Sequence, residues 1–158
     1  MRLLIYVALM SLATHALANN IIEGNQGSKI KGSVVERFQN PWAMSFISPD
    51  RLLVTTKSGD LWLVNTSGKK SLVASVPKVF YGGQGGLGDV VPHPNFKQNK
   101  FIYISYISSD TAGDTRYATV VRAELNIKNS PKLENITTVW KQTPAKSGKG
   151  HFSHKITL

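Results

Sequence analysis

From residue 34 onward the chain carries no apolar stripe of helical period longer than a turn or two. Its apolar residues come in short runs cut by turn formers. A chain patterned this way buries its apolar surface as strands. Residues 34–38, 42–47, 51–56 and 60–64 form the first such group, with Ser48-Pro49-Asp50 and Lys57-Ser58-Gly59 supplying tight turns between them. In Leu52-Leu53-Val54-Thr55-Thr56 and Asp60-Leu61-Trp62-Leu63-Val64 one face is continuously apolar and the other mixed, so consecutive strands pair as an antiparallel meander with one packed face.

A further short strand over 72–76 is followed by a glycine-rich interruption from Tyr81 to Asp89, and then the pattern starts again. Val90-Val91 opens the second group, 101–107 and 117–125 are rich in β-branched and aromatic residues, and 136–141 completes it. Two successive meanders of roughly 40 to 50 residues match the period of a β-propeller blade better than a sandwich, and the strand–helix alternation of a parallel sheet is missing. The expected fold class is therefore all-β, a partial β-propeller. At that period the chain holds about three blades, fewer than the usual four that close a ring, so it reads as incomplete at its C-terminus. Residues 152–158 read as the start of a further strand.

The N-terminus has a separate logic. Arg2 is followed by an apolar run over residues 3–12 and then by Ala16-Leu17-Ala18, the pattern of a cleavable signal peptide over residues 1–18. The run is too short to span a bilayer, and no second stretch of spanning length follows. The expectation is an exported protein, periplasmic or secreted, with no stable membrane span after cleavage. A polar, glycine-containing lead-in covers 19–33, and the main domain 34–158. The chain has no cysteine, so stability outside the cytoplasm must come from packing. An apolar fraction of 41% is enough for one core. The net charge of +10 is spread along the chain, not gathered on one element with stacking aromatics, which argues against a nucleic-acid partner.

Individual motifs say less. Gly83-Gln84-Gly85-Gly86-Leu87-Gly88 satisfies GxGxxG, but Pro92 and Pro94 arrive too soon for the helix a dinucleotide turn requires. A loop in which the backbone approaches a ligand closely, with Gln84 offering an amide donor and acceptor, fits better. Ser147-Gly148-Lys149-Gly150 lacks the hydroxyl residue and the upstream glycine of a Walker loop. His151 and His154 stand at i, i+3, which in a strand sends them to opposite faces. No nearby Cys or carboxylate completes a site, so no metal ligand is assigned. His151, after two glycines, is placed where a loop presents an imidazole to a pocket, and a neutral imidazole can take a proton from a hydroxyl. Asn65-Thr66-Ser67 and Asn135-Ile136-Thr137 are glycosylation sequons, meaningful only in a host that glycosylates exported proteins.

Taken in order, the segments from Asn40-Pro41-Trp42-Ala43-Met44 through Gly83-Gln84-Gly85-Gly86-Leu87, Asp89 to Phe96 with its His93-Pro94 pair, Asn99 to Tyr106 and Gly150-His151-Phe152 resemble the soluble pyrroloquinoline quinone (PQQ)-dependent sugar dehydrogenases. That is the glucose/sorbosone dehydrogenase family, including aldose sugar dehydrogenases. The resemblance runs from about Val34 to Ile156 and implies the N-terminal blades of a six-bladed propeller, with PQQ and Ca2+ as cofactors and an aldose as substrate. It implies that His151 is the general base on the anomeric hydroxyl and that Gln84 lines the substrate and cofactor site. Gly88 and Pro92 stand where members usually carry apolar residues, and Ser153-His154-Lys155 follows the His-Phe pair where Gly-Ser-Arg or Gly-Gly-Arg is common. The family's basic cofactor-binding residues and Ca2+ ligands belong to later blades, so the chain by itself is expected to be inactive. The alternative reading is a non-catalytic propeller-derived module binding a carbohydrate or protein, or an inactive remnant. Which sugar is oxidised, and which acceptor takes the electrons, is not legible.

Overall fold

The computed structural model describes residues 20–110, 112–150 and 152–158. The signal-peptide segment 1–18 and His151 lie outside the described residues. The chain divides into two compact units, Met1–Val34 and Val35–Leu158.

Within the first unit the segment read as a polar lead-in folds as a hairpin: β1 (Asn20–Glu23) pairs antiparallel with β2 (Lys29–Gly32). Gly24 N–H donates to the Ser28 carbonyl at 2.8 Å, and Gly27, at φ +81°, turns the chain where a side chain would be strained. Lys29 pairs with Glu23 at 2.7 Å across the open end of the turn. Ile21, Ile22 and Ile30 are exposed.

The second unit is two four-stranded antiparallel sheets, each a meander in chain order. The first is β3 (Pro41–Ser48), β4 (Arg51–Thr56), β5 (Leu61–Asn65) and β6 (Lys70–Leu72). The second is β7 (Leu87–Pro92), β8 (Phe101–Ser109), β9 (Arg116–Asn126) and β10 (Lys132–Lys141). Sequential strand order within each sheet is the topology of a propeller blade. The one helix among the described residues, α1 (Phe96–Asn99), is a single turn between β7 and β8 that ends at Lys100 in a left-handed conformation.

Alternation explains why these segments are strands. In β9, Thr119, Val121, Ala123 and Leu125 are buried while the residues between them are not. β4 and β8 break the rule with consecutive buried residues, Leu53 to Thr56 and Ile104 to Ile107, because both of their faces are covered. β7 packs against β3 and β4, so the sheets meet across their first strands. The core assembles there from Leu53, Leu61, Leu87, Val90, Ile102, Ile104, Val121 and Leu125, with Phe96 of α1 closing one end. Burying each such side chain contributes about 1.5–3 kcal/mol.

Four expectations are corrected. Residues 34–38 form no strand. Two of their side chains lie across β5 and β6 instead: Phe38 meets the Trp62 ring at 6.2 Å, and Glu36 pairs with Lys70 at 3.3 Å. The sixth strand ends at Leu72 and not near 76, since Ala74 leaves the sheet to bridge Lys132 of the second sheet. Residues 152–158 are not a strand either; they cross β7 irregularly, held by polar anchors. Among the described residues there are two blades, where the period suggested about three.

Candidate functional site

The glycine-rich stretch becomes a tight loop leading into β7. Gly83 sits at φ +57° and Gly86 at φ +132°, in the region L side chains avoid. A Cβ at Gly83 would overlap the Lys149 backbone, and one at Gly86 the Lys57 backbone. Glycine is required by this close approach of three chain segments. The loop is tied by Gln84 N–H to the Lys149 carbonyl at 2.8 Å, Gly85 N–H to the Gly82 carbonyl at 2.8 Å and Ile107 N–H to the Gly86 carbonyl at 3.0 Å. Lys57 Nζ donates to the Gly83 carbonyl and lies 5.8 Å from the centre of the Trp42 ring.

Gln84 lies on a loop whose backbone is pinned against residue 149, two positions before His151. The structure brings the Gln84 loop and the chain flanking position 151 side by side, while His151 itself is outside the described residues.

Beyond position 151 the chain is held by a polar cluster on β7 and β8. Ser105 Oγ donates to the His154 carbonyl at 2.6 Å and accepts from Asp89 N–H at 2.9 Å. The Asp89 carboxylate, nearly buried, accepts from Val90 N–H at 3.0 Å and from Ile156 N–H at 2.9 Å, and Lys155 Nζ lies 3.5 Å from it. Thr55 Oγ1, on β4, donates to the Gly88 carbonyl at 2.7 Å.

His154 is the residue that reasoning from sequence passed over, having considered it only as a partner for His151 in a metal site. It is 7% exposed, its ring edge-on to Trp42 at 5.5 Å. Its Nε2 faces the Gln84 carbonyl at 3.4 Å, which assigns the ring proton there; Nδ1 is buried and has no hydrogen-bond partner among the described residues. Burial pushes its pKa below the ordinary histidine value, and Lys57 pushes the same way. The Gln84 carbonyl and the Asp89 carboxylate work in the opposite direction. The imidazole is thus a neutral donor. The available signal was the pair of departures at Gly88 and His154, which are in contact in the fold.

His93, also in the motif-bearing region, has a structural part. Its Nδ1 accepts from Asn95 N–H at 2.9 Å, sits 3.0 Å from Asn99 Nδ2, and its ring stacks on Tyr103. Among the described residues no cluster of three or more His, Cys, Asp or Glu could hold a metal ion.

Residues 38–158 match the glucose/sorbosone dehydrogenase family. The chain is 33% identical over 127 residues to the aldose sugar dehydrogenase YliI of Escherichia coli K12, covering 78% of this chain and 33% of that protein. Among solved structures, the soluble aldose sugar dehydrogenase of E. coli in its apo form superposes with a TM-score of 0.69 at 31% identity, over 75% of this chain and 34% of that one. The PQQ-bound aldose sugar dehydrogenase of Streptomyces coelicolor shares the fold, with a TM-score of 0.59 at 23% identity over 67% of this chain and 31% of that one. The chain spans about a third of the length of these relatives. Its two meanders are N-terminal blades of their propeller, and the chain belongs to the glucose/sorbosone dehydrogenase family.

Proposed function

We propose that this chain is the N-terminal portion of an exported quinoprotein dehydrogenase that oxidises the anomeric hydroxyl of an aldose. The observation that carries the reading is the meeting of the Gln84 loop with residue 149, through Gln84 N–H and the Lys149 carbonyl at 2.8 Å. Two segments 65 positions apart, one bearing an amide and the other leading to a histidine, converge on one rim of the second unit.

The groups present suit a planar polyanion. The Trp42 ring is 47% exposed beside the loop, Lys57 lies against it, and Lys149 borders Gly82 and Gly83. These residues would hold one edge of PQQ, a flat tricarboxylate, which when bound supplies the acceptor for the hydride leaving the sugar's anomeric carbon. Calcium finds no ligand set among the described residues, and no step here depends on it.

His151 takes the proton of the anomeric hydroxyl as the carbon–hydrogen bond is lost, so the aldose leaves as a lactone. Gln84 orients the sugar through its amide, which donates to one hydroxyl oxygen and accepts from another. The hydrogen-bonded backbone of the glycine loop fixes the point from which that amide reaches out. Export is supported by Arg2, the apolar run that follows it and Ala16-Leu17-Ala18. N-terminal sequencing of the protein from the exported fraction should begin at Asn19.

The test is dye-linked oxidation of aldoses by the native protein supplied with PQQ and Ca2+. His151→Ala should lower kcat by about 10²- to 10⁴-fold. Failure of the wild-type protein to oxidise any aldose would overturn the reading in favour of a binding module.

A further inference from the structure

Residues 152–158 belong to no strand, yet three consecutive residues of that segment are anchored: the His154 carbonyl by Ser105, the Lys155 ammonium by Asp89, and the Ile156 N–H by Asp89. Ladder pairing cannot account for its placement, so the anchors must. The His154 side chain adds a different kind of contact, because its imidazole points into the sheet and occupies a notch over Gly88.

That notch exists only because residue 88 has no side chain. A Cβ at Gly88 would overlap His154 Nδ1 and Cγ and lie 2.6 Å from His154 Cβ. Gly88 carries no positive φ among the glycines that do, so its conformation does not demand glycine; the imidazole does. From this seat Nε2 reaches the Gln84 carbonyl 70 positions away, and the ring meets the edge of Trp42. A single side chain thereby touches the glycine-rich loop, the first strand of each blade and the segment that follows position 151.

We propose that His154 is a positioning residue: seated over Gly88, it locks the loop carrying Gln84 to the segment that follows position 151. The assignment rests on the dehydrogenase reading for its catalytic consequence, while the lock itself is a property of the fold. A buried, neutral imidazole suits the task, since it offers one donor to a backbone carbonyl without bringing a charge beside the proton acceptor. Misplacement of a reacting group by about 1 Å costs on the order of 10²-fold in rate, so a lock on the loop that carries the Gln84 amide acts on turnover although it touches no substrate.

The experiment combines a double-mutant cycle with a steady-state comparison. Gly88→Ala, His154→Ala and the double variant are melted as the chain stands. The same variants, with His154→Leu and His154→Gln, are assayed for aldose oxidation in the native protein with PQQ and Ca2+. The lock predicts that Gly88→Ala lowers the melting temperature strongly and that the double variant recovers part of the loss, because the new methyl enters the vacated notch. It predicts that His154→Leu, which fills the space but donates nothing, loses about 10- to 100-fold in kcat while keeping its melting temperature within a few degrees. His154→Gln should regain part of that kcat through its amide donor. Additive melting effects of the Gly88 and His154 substitutions, or a His154→Leu protein with wild-type kcat, would overturn the proposal. Absence of wild-type turnover would instead remove the dehydrogenase reading and leave the melting cycle to decide the lock.

Discussion

Asp89 has both carboxylate oxygens engaged in the floor of the cluster, one by Val90 N–H and the other by Ile156 N–H and Lys155. Replacing it with Ala leaves two backbone donors without their partner in a nearly buried place, a cost of about 1–3 kcal/mol. Asp89→Ala should therefore melt earlier than wild type, and hydrogen exchange at Ile156 should rise from a protected to an open rate. His154 makes a second prediction at this scale, through pH. Its pKa is lowered in the folded protein chiefly by burial, so below the ordinary value of about 6.5 the unfolded chain takes up a proton that the folded imidazole refuses. Stability should then be full above about pH 6.5 and decline as the pH falls toward the folded value, and His154→Gln should flatten that decline in a pH series of thermal melts. Gln84 stands out in the sequence as the one amide in a glycine-rich loop. His154 does not, since its importance lies in what it touches and its chain neighbours Ser153 and Lys155 say nothing of Gly88.

Five strands of the two meanders were legible to within two residues at each end, Arg51–Thr56 without any shift, since alternation and turn chemistry are local properties; β6, β7 and β10 depart by three or four residues at one end. The elements that escaped are those decided by competition for partners. Residues 34–38 have the composition of a strand, but their side chains find Trp62 and Lys70, leaving the backbone outside the ladder. Residues 20–32 look like a lead-in and still make a hairpin, because Gly24 and Gly27 close the turn. Within the first sheet, β4 lies between β3 and β5 and packs against β7. Leu53 is fully buried in the core, so Leu53→Ala should destabilise the chain by about 2–5 kcal/mol in denaturant titration. Leu72→Ala, at the half-exposed edge strand β6, should cost much less under the same conditions.

At the scale of the whole molecule, the chain carries the family's sequence and two meander sheets of its propeller. The relatives are about three times the length this chain covers. An aldose site needs walls on every side of the sugar, and in the proposed reading the described residues would supply one rim of it. The 158-residue chain, purified and given PQQ, Ca2+ and a dye acceptor, should show no aldose oxidation, whereas the native protein recovered from the exported fraction should turn over. The central strands, the two successive meanders and the glycine loop were determined by the sequence by itself, because each depends on side-chain period and turn residues within a dozen positions. Only the tertiary structure decided that Gly88 and His154 share one volume, that Asp89 and Ser105 hold the segment after position 151, and that Gln84 and residue 149 lie side by side. Those contacts join segments 49 to 70 residues apart, and the packing of one sheet on another selects them where no local pattern could.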